Sequence, residues 1–155
     1  MVSIVTGRIN SGKTERMVAL YEKTRKGDGF VSVKRMEKDK VYGYEAMKLS
    51  TGERYPLVIR DIYAPDDWPE ACRIGPYLFH SGTIDKVHEE IGEMIRDGIE
   101  PIYLDEIGPM ELAGLVFDKT AGQMVDSGLD VIFAIRNESV EPLMERYNVS
   151  KYQII

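Results

Sequence analysis

The sequence predicts a three-layer α/β fold, a mixed and mostly parallel sheet with helices on both faces, as one domain over residues 1–155. Three observations predict it. Ile102-Tyr103-Leu104 and Val131-Ile132-Phe133-Ala134-Ile135 are apolar on both faces, the pattern of central strands in a parallel sheet covered on each side. A third run, Val2-Ser3-Ile4-Val5-Thr6, leads through a glycine-bounded turn into a helical pattern, the strand–turn–helix unit of such folds. Two alternating runs flank Ser50-Thr51-Gly52-Glu53 and read as a hairpin, so antiparallel strands extend one edge.

Along the chain, Met17, Leu20, Tyr21 and Thr24 recur at helical spacing and place the first helix over Ser11–Lys26. Strands follow at Gly29–Arg35, Val41–Leu49 and Tyr55–Ile62, the last two joined by the hairpin turn. The interval Ala64–Gly75, with Pro65, Pro69 and several acids, has no period and reads as a loop with a short turn of helix. After a strand at Tyr77–Ser81, Thr83 can cap a helix over Thr83–Asp97 whose apolar stripe is Ile84, Val87, Ile91, Met94 and Ile95, and Gly98 stops it. A strand at Pro101–Asp105, a helix at Met110–Ser127, a strand at Leu129–Arg136, a helix at Ser139–Tyr147 and a strand at Tyr152–Ile155 complete the pattern. In a sheet of this kind ligands sit at the carboxyl ends of the strands.

The turn after the first strand reads Gly7-Arg8-Ile9-Asn10-Ser11-Gly12-Lys13-Thr14, the spacing G-x-x-x-x-G-K-T of a Walker A phosphate-binding loop. Its glycines let backbone N–H groups turn toward phosphate oxygens, Lys13 sets a charge on the β- and γ-phosphates, and the Thr14 hydroxyl ligates Mg²⁺. The helix behind it adds unsatisfied N–H groups and a favourable dipole. Pro101-Ile102-Tyr103-Leu104-Asp105-Glu106 supplies the second half of such a site, an apolar strand ending in carboxylates. Asp105 can hold Mg²⁺ through water opposite Thr14, the two side chains standing close without touching. Two adjacent acids after a buried strand repel each other and resist desolvation, so structure alone is a poor reason for both. Glu106 is placed to polarise a water in line with a γ-phosphate, as a general base. Arg136 and Asn137, at the end of the strand expected beside the loop, are candidates for contact with that phosphate or its water, Arg136 as a charge stabiliser.

Composition bounds the alternatives. The chain carries a net charge of −6, which gives no basic field to hold nucleic acid. Lysines and arginines at Lys23–Lys26 and Lys34–Lys40 are interrupted by Asp28, Glu37 and Asp39 and read as solvated faces. One cysteine, Cys72, excludes an internal disulfide and suits a reducing cytoplasm. No apolar run approaches a membrane span, and Met1 leads straight into a core strand, leaving no room for a signal peptide. His80 and His88 have too few companions to make a zinc site, and Trp68 reads as packing. Asp105-Glu106-Ile107-Gly108 also satisfies the D-x-x-G switch of small GTPases, but Ile135-Arg136-Asn137-Glu138 lacks the N-K-x-D that would read guanine.

The Gly7–Thr14 loop and the segment Asp105-Glu106-Ile107-Gly108-Pro109-Met110-Glu111-Leu112 together resemble a known family, the small nucleoside triphosphatases first described from thermophiles, with a human cancer-related member. The likeness extends to Val41-Tyr42-Gly43-Tyr44, Leu49–Glu53, and Arg136 followed by Pro142-Leu143. It implies a P-loop fold similar to RecA and AAA cores and Mg²⁺-dependent hydrolysis of ATP, GTP and other nucleoside triphosphates to diphosphates with little base preference. By position it makes Lys13 the phosphate lysine, Thr14 and Asp105 the metal pair, Glu106 the base, and Arg35 a further arginine near the site. This loop departs from the family pattern, with Ile9-Asn10 for Pro-Gly and Glu15 for a second Thr, which adds negative charge near a triphosphate. The same loop would also serve a nucleotide-kinase-type phosphotransferase or a nucleotide-dependent interaction protein. A kinase needs a lid with paired arginines, and Ala64–Gly75 offers only Arg73.

Overall fold

A computed structural model describes residues Met1–Ile155. Nine strands form one sheet: β1 (Val2–Gly7), β2 (Asp28–Glu37), β3 (Lys40–Lys48), β4 (Arg54–Arg60), β5 (Glu70–Ile74), β6 (Tyr77–His80), β7 (Ile102–Ile107), β8 (Val131–Arg136) and β9 (Tyr152–Ile154). Their spatial order is β5-β6-β4-β3-β2-β7-β8-β1-β9. From β2 to β9 neighbours run parallel, and from β2 outward to β5 they run antiparallel, so the sheet is mixed as the hairpin implies. The doubly apolar runs are β7 and β8, interior strands of the parallel part of the sheet, which are buried along most of their length.

The helices are α1 (Lys13–Thr24), α2 (Ser81–Arg96), α3 (Pro109–Leu112), α4 (Asp118–Asp126) and α5 (Val140–Arg146). Strand alternation sorts the core into two layers. On one face, Met17 and Tyr21 of α1 pack on Val5, Val31, Tyr103 and Ala134. On the other, Val87, Ile91 and Met94 of α2, Ala121 and Met124 of α4, and Leu143 of α5 pack on Ile4, Phe30, Leu104 and Phe133. The layer order is helix, sheet, helix.

Three expectations need correction. Glu70–Ile74, read as part of a loop, is an edge strand against β6, and the helical turn in this region lies earlier, at Asp61–Tyr63. The helix expected over Met110–Ser127 is two helices: Gly114 (φ 80°) and Val116 (φ 52°) take left-handed conformations that no helix continues through. The cap of α2 is His80, whose Nδ1 accepts the Thr83 N–H at 3.1 Å, while the Thr83 hydroxyl donates to the Pro56 carbonyl.

Between β2 and β7 one residue type is compulsory. Gly29 has φ 152°, and a Cβ there would stand 2.1 Å from the Tyr103 carbonyl oxygen. Backbone on the facing strand cannot yield as a side-chain end can, so Gly29→Ala must separate the strand pair that carries the site. The expected loss is about 3 kcal/mol of unfolding free energy, read as a lower urea midpoint; an unchanged midpoint would contradict the packing described.

Candidate active site

The loop is built by β1 and α1. Gly7 pairs in register with Arg136 of β8, which sets that arginine beside the loop's first residue. A Cβ on Gly7 would lie 2.3 Å from the Ser11 hydroxyl oxygen, which would have to turn aside to admit it. Asn10 (φ 58°) and Gly12 (φ 84°) take the left-handed turns that bring the chain into α1. Asparagine enters that region more readily than most residues with a side chain, which is how Ile9-Asn10 serves where related loops have Pro-Gly. Arg8, Ile9, Asn10 and Ser11 are exposed, whereas Lys13 is buried and its Nζ donates to the Arg8 carbonyl at 2.8 Å, across the mouth of the loop. The Glu15 carboxylate folds back toward the same mouth, one oxygen 3.7 Å from where a Cβ on Gly12 would stand.

The second half comes from β7. Leu104 pairs with Phe133 and Ile107 with Ile135, so Asp105 and Glu106 together face a single residue of β8, a β-bulge. Glu106 has φ 57°. Bulge and left-handed backbone turn the two acids apart: Asp105 is 2% exposed and Glu106 faces solvent. The Thr14 hydroxyl donates to Asp105 Oδ2 at 2.5 Å, and the Ser32 N–H donates to the same oxygen at 3.0 Å. Thr14 and Asp105 therefore touch, where close approach without contact was expected. Asp105 Oδ1 is buried with no partner. A buried carboxylate oxygen without a donor fits a divalent cation or its bound water, so the residues present suit the metal their pattern implies.

Burial pushes the Asp105 carboxyl up to about 7, against the Thr14 and Ser32 hydrogen bonds that favour its charge. Glu111 behaves alike: burial pushes it up to about 7 although its oxygens accept the Gly108 N–H at 2.7 Å and the Phe117 N–H at 3.0 Å. With both oxygens held and 2% exposure, Glu111 is unavailable as a substitute base.

Arg136 is half-buried and enters none of the chain's ion pairs. Asn137 stands with its side-chain oxygen 2.9 Å from the Thr6 hydroxyl, which also donates to the Ile135 carbonyl at 2.7 Å. Tyr44 had no role read from sequence. Its hydroxyl is held above the usual range by burial first and then by Tyr77 and Glu106, with Arg136 opposing, so it shares the electrostatic surroundings of both site residues. Arg35 lies on the exposed end of β2, its guanidinium 4.3 Å over the Tyr42 ring and 3.4 Å from Glu37, at a cavity of about 180 Å³ that Tyr44 and Trp68 also line. Its contacts are with that hairpin and not with the loop. No helix is long and apolar enough to cross a membrane.

Both raised carboxylates bind a proton more tightly in the folded chain than their ordinary values of 3.8 and 4.5 allow, so folding takes up protons as pH rises from about 4 to about 7. Their stabilising contribution is complete below that window and lost above it. Melting of the nucleotide- and metal-free protein should therefore occur at higher temperature at pH 5.5 than at pH 8; a flat or inverted profile would show that these groups are not buried as described.

The family model described as NTPase matches residues 3–155. The nucleoside-triphosphatase THEP1 of Thermotoga petrophila is 31% identical over 150 residues, covering 94% of this chain and 77% of the relative. That of Methanothermobacter thermautotrophicus is 27% identical over 162 residues, covering 99% and 87%. Among solved structures, the crystal structure of THEP1 from the hyperthermophile Aquifex aeolicus matches with a TM-score of 0.71 at 21% identity, over 100% of this chain and 88% of the other. The solution structure of a human cancer-related nucleoside triphosphatase matches with a TM-score of 0.67 at 18% identity, over 100% and 86%. At those identities the likeness is one of fold.

Proposed function

Because the chain belongs to the NTPase family and is a nucleoside-triphosphate hydrolase, we propose that its 155 residues act as one Mg²⁺-dependent catalytic domain, cytoplasmic and with little base preference. Convergence of Thr14 and Asp105, from opposite ends of the site, is the observation that carries this reading. Thr14 and the free oxygen of Asp105 would hold the Mg²⁺, which neutralises charge on the β- and γ-phosphates when bound. Lys13 exchanges the Arg8 carbonyl for phosphate oxygens, with the backbone from Gly7 to Thr14 around them. Glu106 takes a proton from water as the water oxygen bonds to the γ-phosphorus. The bond from that phosphorus to the β–γ bridging oxygen breaks, leaving the nucleoside diphosphate and inorganic phosphate. Arg136, beside Gly7, offsets charge on the transferring group.

Each contact in this reading is to the phosphates, so ATP, GTP and other triphosphates are the proposed substrates. The phosphotransferase alternative needs lid cations; Arg73, the arginine of that interval, is tied to Asp61 beside an edge strand.

Phosphate release over a panel of triphosphates, with and without candidate acceptors, tests the reading; loss of ATP only in the presence of an acceptor, without free phosphate, would overturn it. Glu106→Gln should keep triphosphate binding while single-turnover hydrolysis falls roughly 10²- to 10⁴-fold. Asp105→Asn should instead raise the Mg²⁺ concentration needed for half-maximal rate. Glu106→Gln turning over like the parent would place the base elsewhere.

Glu15 sets an exposed negative charge at the loop's mouth. Glu15→Gln should tighten triphosphate binding about threefold to tenfold at low salt, and the gain should shrink as salt screens the pair. Titration calorimetry at two ionic strengths reads both effects.

A further inference from the structure

Glu111 is a fully buried acid that the chemistry above does not use. Its two oxygens reach two separate backbone amides, Gly108 at the start of α3 and Phe117 just before α4. Bonds from N–H groups to a carboxylate are charge-assisted; these measure 2.7 and 3.0 Å. Gly108 is the second residue after Glu106, and Ile107 between them is buried and paired with Ile135.

Glu106 at φ 57° occupies a region that a side-chain-bearing residue leaves unless its surroundings hold it there. Upstream, Asp105 is fixed by Thr14 and Ser32. Downstream, Ile107 is held by its ladder pairing with Ile135, and the first side-chain anchor is Glu111, on the Gly108 amide. We propose that Glu111 is a positioning residue: by holding the Gly108 amide it keeps Glu106 in its left-handed conformation, and so keeps the Glu106 carboxylate aimed at the attacking water. This rests on the reading of Glu106 as the base.

A role confined to bracing the loop between α3 and α4 would slow hydrolysis whether or not Glu106 can work. A role exerted through Glu106 would disappear with it. The discriminating experiment is a cycle of the parent, Glu111→Gln, Glu106→Gln and the double variant, read by single-turnover hydrolysis, equilibrium binding of a non-hydrolysable triphosphate and melting temperature. A glutamine can accept one of the two N–H groups but turns a donor toward the other. Glu111→Gln should slow the parent roughly 10- to 100-fold, the usual effect of a misaimed catalytic group, with triphosphate affinity held within about threefold. In the Glu106→Gln background it should slow hydrolysis less than about twofold. Equal losses in both backgrounds, or no loss in the parent, would overturn the proposal while leaving the base assignment intact. Parent-like hydrolysis by Glu106→Gln alone would remove the base assignment and the proposal together. Should Glu111→Gln fail to fold, Glu111→Asp, which keeps the charge but is too short to span both amides, is read in the same cycle against the same criteria.

Discussion

Thr14 and Asp105 are 91 positions apart, and a single 2.5 Å hydrogen bond joins them. The bond fixes the first turn of α1 against the end of β7, and through the Ser32 amide it reaches β2 as well. Three elements are thereby registered on one carboxylate. Withdrawing that carboxylate from water is costly, and the Thr14 and Ser32 hydrogen bonds offset part of the cost, while Val5, Met17, Tyr21, Val31, Tyr103 and Ala134 pack between α1 and the sheet and hold the three elements together. Apolar packing and polar geometry are here one construction. A looser cluster under α1 would move Thr14 away from its acceptor.

Adjacent acids after a buried strand pose an electrostatic problem, and the bulge in β7 resolves it. In a regular strand Asp105 and Glu106 would already point to opposite faces, but the face occupied by Phe133 and its neighbours is apolar and covered by helices. Setting two residues against one carries Glu106 out of that layer into solvent, while Ile107 drops back into it. The left-handed backbone is the local cost of that route. The cost falls on the residue proposed as the base, and backbone strain is common at such positions.

Legibility of the sequence followed a physical divide. The loop from Gly7 to Thr14 and the pair Asp105-Glu106 stand out in the sequence because phosphate and metal chemistry asks for those residue types at those spacings, and the fold brings Thr14 against Asp105. The central strands were readable because both their faces are covered. β5 was not: Cys72 alone in it is half-buried, so an exposed edge strand shows no alternation to detect. The break between α3 and α4 was hidden as well, since apolar spacing runs on through it and a β-branched residue at φ 52°, Val116, is held by tertiary contacts that no propensity anticipates. Glu111 carries no role in the sequence reading. Its place three residues after Gly108, at the head of a helix, is the reciprocal arm of a capping box and was the available clue. Tyr44 and the contacts of Arg35 depend on how the hairpin folds over, which spacing does not record.

The position of β1 has a consequence for the newly made chain. β1 precedes the other eight strands in sequence, yet both its neighbours lie late in it: β8, whose Val131 pairs with Val2, and β9, whose Ile154 pairs with Ile4. Until residues beyond 131 have left the ribosome the strand has no sheet to join, and closing so long an interval carries its full entropic cost before any contact repays it. The turn at Gly7–Thr14, which β1 carries, therefore gains its supporting strands only when the late part of the chain is in place. Truncated or stalled products that end before β8 would carry the motif without the structure, and they could not retain nucleotide in a half-built site.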